Sequence, residues 1–208
     1  MLAPRGGRRG RVCQPAGVDL ADSATGVDRR RLWALAGRIA QSRGATVGDV
    51  FGDVGLFLTD PAGPDRDAGY DDSPAGSVLI ASAGAEGVHF SALLPDADGA
   101  APIVMTAPLV FDRPNTVVGA DLREFLALGS TSCFCCLEQL LHDTGADDEW
   151  GRAAAIRRAG APRSAGASHA PALVDAIARE FAVSPWPDVA GRLAALARQY
   201  GPRVRPVR

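Results

Sequence analysis

The strongest pattern in the chain is a series of apolar, strand-like segments between Val78 and Gly129. The segments read VLIASAG, VHFSALL, APIVMTAPLVF and NTVVGA, and the amphipathic stretch DLREFLALG follows them. Short turns separate the segments, and short turns favour antiparallel pairing because parallel strands need long crossovers. The pattern therefore predicts an α+β fold, an antiparallel meander of about four to five strands packed by helices.

The second segment alternates between apolar and polar positions, as a strand with two different faces does. One face carries Val88, Phe90 and Ala92, and the other carries His89 and Ser91. The preceding turn, Gly84-Ala85-Glu86-Gly87, is interpreted as a hairpin connection, since a phosphate-binding loop requires a helix directly after it. Pro108 has no backbone N–H to donate, so it marks an edge position, a bulge or a strand end.

A first helix is predicted from about Asp28 to Ser42, with Asp28 as its cap and Gly44 as its stop. Its apolar stripe consists of Leu32, Leu35, Ala36, Ile39 and Ala40. The short run Leu56 to Leu58 fits either a strand or an ordered turn. The acidic loop from Pro61 to Gly76 is interpreted as solvated, because its Asp spacing does not fit a calcium-binding loop.

The meander is expected to end in two helices. Asp121 and Glu124 form a capping-box pattern at the start of the first, and Gly129 is expected to stop it. The second is predicted from Phe134 to His142. Beyond residue 146 only helical patterns remain, and they predict three helices that begin near Asp147, near Ser168 with Pro171, and near Asp188. The basic residues of the carboxyl-terminal stretch are expected to be solvated: Arg192, Arg198, Arg203, Arg205 and Arg208.

The 208 residues suffice for one well-packed domain with an appendage. Composition divides the chain into a disordered basic tail at 1–26, an α+β core at 27–146 and a helical extension at 147–208. All 22 basic residues are Arg, which is typical of a GC-rich genome, so arginine content alone does not indicate nucleic-acid binding. No apolar run approaches the ~20 residues that span a bilayer.

Four cysteines are present, at positions 13, 133, 135 and 136. Three lie too close together in the chain to form a disulfide framework for the whole fold, so a reduced, cytoplasmic protein is expected. A metal or nucleophilic site centred on Cys133–His142 is the alternative. Its spacing is unfavourable, because adjacent cysteines point apart on a helix and His142 lies ~10 Å along that helix from Cys135. Structural burial of the cysteines is the preferred interpretation.

The central block resembles the SUKH superfamily of bacterial immunity proteins. The likeness rests on the IASAGAEGVHFSALL hairpin and on VVGADLREFLALG, in which the family's strand into a Phe-Leu helix is matched by Val117, Val118, Leu122, Phe125 and Leu126. The resemblance covers residues 46–145. It implies a small α+β domain that binds and neutralises a toxin protein, often a nuclease, without a catalytic residue, a cofactor or a metal.

The leading functional hypothesis is therefore a cytoplasmic, non-catalytic protein-binding domain with a toxin-like partner and no membrane partner. A metal-binding or Cys-dependent enzyme centred on Cys133–His142 is the first alternative. A nucleic-acid accessory protein that uses the Arg-rich termini is the second. No catalytic, cofactor-binding or metal-ligating residue is assigned from the sequence.

Overall fold

The computed structural model describes residues 19–64, 69–84, 86–111, 113–132, 134–137 and 170–205. The strands, in chain order, are β1 (Phe57–Leu58), β2 (Ser77–Ser82), β3 (His89–Leu93), β4 (Ile103–Thr106) and β5 (Asn115–Gly119). The helices are α1 (Ala24–Arg43), α2 (Leu122–Ser132), α3 (Ala170–Phe181) and α4 (Val189–Tyr200). The predicted tail before residue 19 and the helix predicted near Asp147 lie outside the described residues.

The five strands form one antiparallel sheet in the order β1-β2-β3-β4-β5. This confirms the predicted meander and the α+β fold class. The short run at 56–58 is a strand, because Phe57 and Leu58 pair with β2. The third predicted segment is shorter than its apolar pattern: β4 ends at Thr106, before Pro108, because proline cannot donate to the ladder.

Helix α1 begins earlier than predicted. Ser23 is its N-cap and accepts a hydrogen bond from the Gly26 N–H at 3.1 Å, whereas Asp28 lies inside the helix and is buried. A short 3-10 turn at Leu20–Asp22 precedes it. The expectation of disorder up to residue 26 is therefore wrong for residues 19–26, because Leu20 is buried in the core. Gly44 ends the helix at φ 65°, as predicted.

Helix α2 begins as predicted and ends later. The Asp121 carboxylate accepts from the Glu124 N–H at 2.8 Å, and the Glu124 carboxylate accepts from the Ala120 N–H at 2.7 Å. Gly129 does not stop the helix, which continues to Ser132. A Cβ at Gly129 would lie 2.0 Å from the Phe134 ring, so this glycine makes room for an aromatic ring. The predicted second helix is a 3-10 turn, Phe134–Cys136, over the part that is described.

The sheet is covered on both faces. On one face Phe90, Ile103 and Met105 share a core with α1, α2 and α3. The Phe125 ring of α2 lies 4.8 Å from that of Phe90 and 5.1 Å from that of Phe134. On the other face a smaller cluster joins the sheet to α4, and it consists of Leu93, Val104, Val117, Leu196 and Tyr200. The carboxyl-terminal helices thus complete the same core as the meander.

Ion pairs join the helices to one another. The Arg123 guanidinium binds Asp28 of α1 through two hydrogen bonds of 2.7 and 3.0 Å. These bonds, and then the charge of Asp28, raise the pKa of Arg123. Glu180 of α3 accepts from Arg31 at 2.8 Å and from Arg38 at 2.6 Å. The hydrogen bond from Arg31 is the main cause of the lowered pKa of Glu180.

Two of the arginines expected to be solvated are bound instead. Arg192 donates to the Glu124 carboxylate at 2.5 and 3.1 Å, and this hydrogen bonding raises its pKa. Arg203 donates to the Asp96 carboxylate at 2.7 Å and to the Leu94 carbonyl at 2.8 Å. The solvated-tail prediction is wrong at these positions, because the chain end packs along the sheet and brings each guanidinium to a fixed acceptor.

Candidate functional site

Cross-strand register places four polar residues in one row at one end of the sheet. His89 of β3 pairs with Ser82 of β2 and with Thr106 of β4, and Thr106 pairs with Asn115 of β5. The β2–β3 and β4–β5 connections both leave the sheet at this end. This region is called the turn end below. The sequence predicts the two turns, but it does not predict that these four polar residues are aligned. Their alignment depends on the register with which the strands pair.

The loop before β2 crosses the sheet and is held against this row. The Asn115 amide donates to the Asp72 carbonyl at 2.8 Å, while its oxygen accepts from the Thr106 hydroxyl at 2.7 Å. Farther along the loop, the Ala75 N–H donates to the Arg205 carbonyl at 2.6 Å. Residues 69–76 are therefore part of the packed structure, although their composition predicts a solvated loop.

His89 is the centre of this contact. Its Nδ1 lies 2.8 Å from the Gly87 carbonyl oxygen, and its Nε2 lies 3.1 Å from the Ser73 hydroxyl. A carbonyl only accepts, so Nδ1 carries a proton, and a neutral ring then accepts from Ser73 at Nε2. The Tyr70 ring stacks on the imidazole, with centroids 5.6 Å apart and planes inclined by 14°.

Ser73 and His89 have the spacing of a nucleophile and its general base. Ser73 is only 3% exposed and His89 only 2% exposed, and the Tyr70 ring covers the imidazole. A substrate has no approach to the Ser73 oxygen in this arrangement. The hydrogen bond between Ser73 and His89 instead holds the loop before β2 against β3. Sequence reasoning missed Ser73, because a single Ser-Pro in a polar loop carries no distinguishing pattern.

The surface of the turn end is unusually apolar. Within the described residues, four large hydrophobic side chains are classed as exposed, and three of them lie here: Tyr70 at 43%, Leu109 at 56% and Phe111 at 88%. Tyr70 reaches the β2–β3 turn, where its hydroxyl would lie 2.6 Å from a Cβ placed on Gly87. Leu109 and Phe111 belong to the β4–β5 turn. These three side chains are called the apolar tip below.

The cysteine cluster differs from its predicted state. Cys135 is exposed and disulfide-bonded, so the expectation of reduced thiols does not hold there. The Cys136 sulfur lies 3.9 Å from that of Cys135. Cys133 and His142 lie outside the described residues. In the part of the chain that is described, no group of three or more metal-ligating side chains occurs.

An open cleft of about 380 Å³ lies between the start of α2 and the connection from α3 to α4. Trp186 forms one wall, and Arg123 and Arg192 line it. Both guanidinium groups already bind carboxylates, Asp28 and Glu124 respectively. The cleft therefore offers no uncompensated positive charge for an anionic ligand.

No protein-family model, no curated protein and no solved structure matches the chain. Among the described helices, none is both long enough and apolar enough to cross a membrane. The residues at the turn end are thus the main basis for a functional conclusion.

Proposed function

We propose that this chain is a non-catalytic protein-binding domain that acts in the cytoplasm and neutralises a toxin protein by stoichiometric association. The observation that carries the proposal is the apolar tip. Covering a side chain the size of phenylalanine is worth about 1.5 to 3 kcal/mol, and clustered exposed apolar groups are typical of interaction sites. Phe111, at 88% exposed, obtains little of that free energy within the chain.

The turn end has a second property that favours binding over catalysis. Its polar groups, Ser73, His89 and Asn115, make their hydrogen bonds within the chain. They hold the loop and the turns in a defined arrangement, which lowers the entropy that a partner must overcome on association. The loop and turns that carry the apolar tip are therefore already ordered before a partner binds.

The resemblance of the hairpin and of α2 to SUKH immunity proteins supports the choice of a toxin as partner. The test is a binding screen of the purified chain against purified bacterial toxin domains, beginning with the product of any toxin-like neighbouring gene. We expect one-to-one binding by at least one domain and loss of that domain's activity in the complex. Absence of binding throughout such a panel would refute the proposal.

Phe111→Ser serves as the variant in this screen, and Val27→Ser serves as its matched control. Val27 is also an exposed apolar residue, but it lies on α1. We expect Phe111→Ser to weaken toxin binding at least tenfold, since a central aromatic contact is commonly worth 2 kcal/mol or more, whereas Val27→Ser leaves binding unchanged. Equal binding by both variants would exclude the apolar tip as the contact surface.

A second candidate function is favoured by one observation at the cysteines. The disulfide-bonded Cys135 is an exposed residue, and the Cys136 sulfur lies 3.9 Å from its sulfur, which is the proximity that thiol–disulfide exchange needs. Alkylation of the protein before and after mild reduction, read by mass, tests it. Unchanged labelling at Cys136 and an irreducible Cys135 would exclude this function. Zinc analysis of the same sample tests the metal alternative.

The nucleic-acid alternative has less support than the sequence alone indicated. Arg192 and Arg203 are bound to carboxylates within the chain, so they are not available as free phosphate contacts. For the amino-terminal arginines, which lie outside the described residues, this function stays a prediction. Salt-sensitive binding that disappears when both termini are removed would support it.

A further inference from the structure

Acidic residues occur in the two segments that Tyr70 joins, the loop before β2 and the β2–β3 turn. Asp71 follows Tyr70 directly, and Glu86 precedes Gly87, against which the Tyr70 hydroxyl packs. Both carboxylates are exposed. In the described parts of residues 69–76, 83–88 and 107–114, the acidic residues are Asp71, Asp72 and Glu86, and Arg113 is the basic one. The tip thus has a net negative rim.

Glu86 also has an unfavourable backbone conformation. Its φ is 52°, in a turn whose neighbouring glycines, Gly84 and Gly87, have φ of 80° and 74°. A side chain at such a φ costs about 1 kcal/mol relative to glycine. Strain of this kind persists most often where the residue has a role, and the carboxylate of Glu86 makes its turn negative next to the apolar tip.

We infer that the partner docks on the turn end with a surface that is apolar at its centre and basic at its rim. This inference rests on the proposed function and adds the chemistry of the partner's contact face. The apolar centre would cover Leu109 and Phe111. Lysine or arginine side chains at its edge would meet Asp71, which follows Tyr70 in the chain, and Glu86, which lies in the turn that Tyr70 contacts.

Charge complementarity of this kind acts mainly on the rate of association. Rim charges steer the partner during diffusion, so they change the association rate more than the dissociation rate. The burial of the apolar tip would instead determine how slowly the complex dissociates. The two parts of the surface therefore have separable kinetic effects.

The experiment uses the full chain and the toxin domains of the binding screen, divided by sequence into basic and acidic members. Association and dissociation rates are measured by biolayer interferometry at about 50 mM and about 300 mM NaCl, where screening differs strongly. The test variant is Asp71→Lys with Glu86→Lys. The control is Asp98→Lys with Asp175→Lys, which changes net charge equally at exposed sites on the β3–β4 turn and on α3.

We expect the binders to be basic domains whose association rate falls at least tenfold in high salt and in the Asp71/Glu86 variant, and much less in the control. Circular dichroism confirms that each variant is folded. If a variant does not fold, the salt dependence of the unmodified protein remains a sufficient test. Binding by acidic domains, or association that is insensitive to salt and to the charge reversal, would overturn the inference but leave the proposed function standing. Absence of any binding would refute the proposed function itself.

Discussion

Replacement of Gly129 by alanine separates two opposite physical effects. In an exposed helix interior, Gly→Ala stabilises by about 1 kcal/mol because glycine has more backbone freedom to lose. In α2 the new Cβ would lie 2.0, 2.3 and 2.5 Å from three atoms of the Phe134 ring. Carbon atoms pack at about 3.5 to 4.0 Å, so the ring must move by more than about 1 Å.

Phe134 has little room for such a movement. It is 1% exposed, and its ring lies against that of Phe125. Overpacking of this kind typically costs about 1 to 3 kcal/mol. We therefore expect Gly129→Ala to lower the free energy of unfolding by up to about 2 kcal/mol, because the steric cost exceeds the gain in helix propensity.

The assay is urea-induced unfolding followed by circular dichroism. Gly37→Ala is the matched control, since Gly37 lies inside α1 with no atom within 4 Å of its added Cβ. We expect that control to gain about 0.5 to 1 kcal/mol. In a double-mutant cycle, Phe134→Leu should remove most of the cost of Gly129→Ala. A stabilised Gly129→Ala variant, or a cycle without coupling, would refute the reasoning.

Three further outcomes are expected. Ala182→Gly should raise the free energy of unfolding by about 0.5 to 1 kcal/mol in the same urea assay, because Ala182 has φ 52° just after α3. Ser73→Ala should cost about 1 to 3 kcal/mol and speed amide hydrogen exchange in residues 69–76, because the buried hydrogen bond between the Ser73 hydroxyl and His89 Nε2 is lost. Glu180→Gln should cost at most about 1 kcal/mol at neutral pH. The folded-state pKa of Glu180 is lowered, so the ionised carboxylate stabilises the folded protein at pH values above the ordinary glutamate pKa of about 4.3. This contribution to the free energy of unfolding is lost as the pH falls through the lowered pKa. Acid titration of Glu180→Gln and of the unmodified protein measures the difference.

Each of these expectations has a clear contrary result. A destabilised Ala182→Gly variant would mean that the helix end does not have its positive φ. Unchanged exchange in Ser73→Ala would show that the loop is held by other contacts. Equal acid sensitivity of Glu180→Gln and the unmodified protein would mean that the pairs with Arg31 and Arg38 contribute nothing to folding.

Much of the fold is predictable from local pattern. The strands from Val78 onward, the hairpin at Gly84–Gly87 and the capping box at Asp121 follow from short-range rules of alternation, turn chemistry and capping. The ends of elements are less predictable. Ser23 and Asp28 are both acceptable caps by residue type, and only the burial of Asp28 beside Arg123 decides between them.

The candidate site is largely invisible in the sequence. Ser73 and His89 are 16 positions apart, and Phe111 occurs in a turn where nothing local distinguishes an exposed from a buried ring. Their placement depends on the register of three strand pairs and on the path of the loop across the sheet. Neither has a local signature.

The class of fold, the meander and the helix faces follow from the amino-acid pattern alone, because side-chain periodicity and turn residues act over a few positions. Three features emerge only from the folded chain: Gly129 makes room for Phe134, Arg192 and Arg203 are bound to carboxylates, and Tyr70 and Phe111 lie at the same end of the sheet. These facts depend on residues far apart in the chain that meet only when the two faces of the sheet are covered. Contacts of that kind are set by the packing of the whole core, so no local pattern contains them.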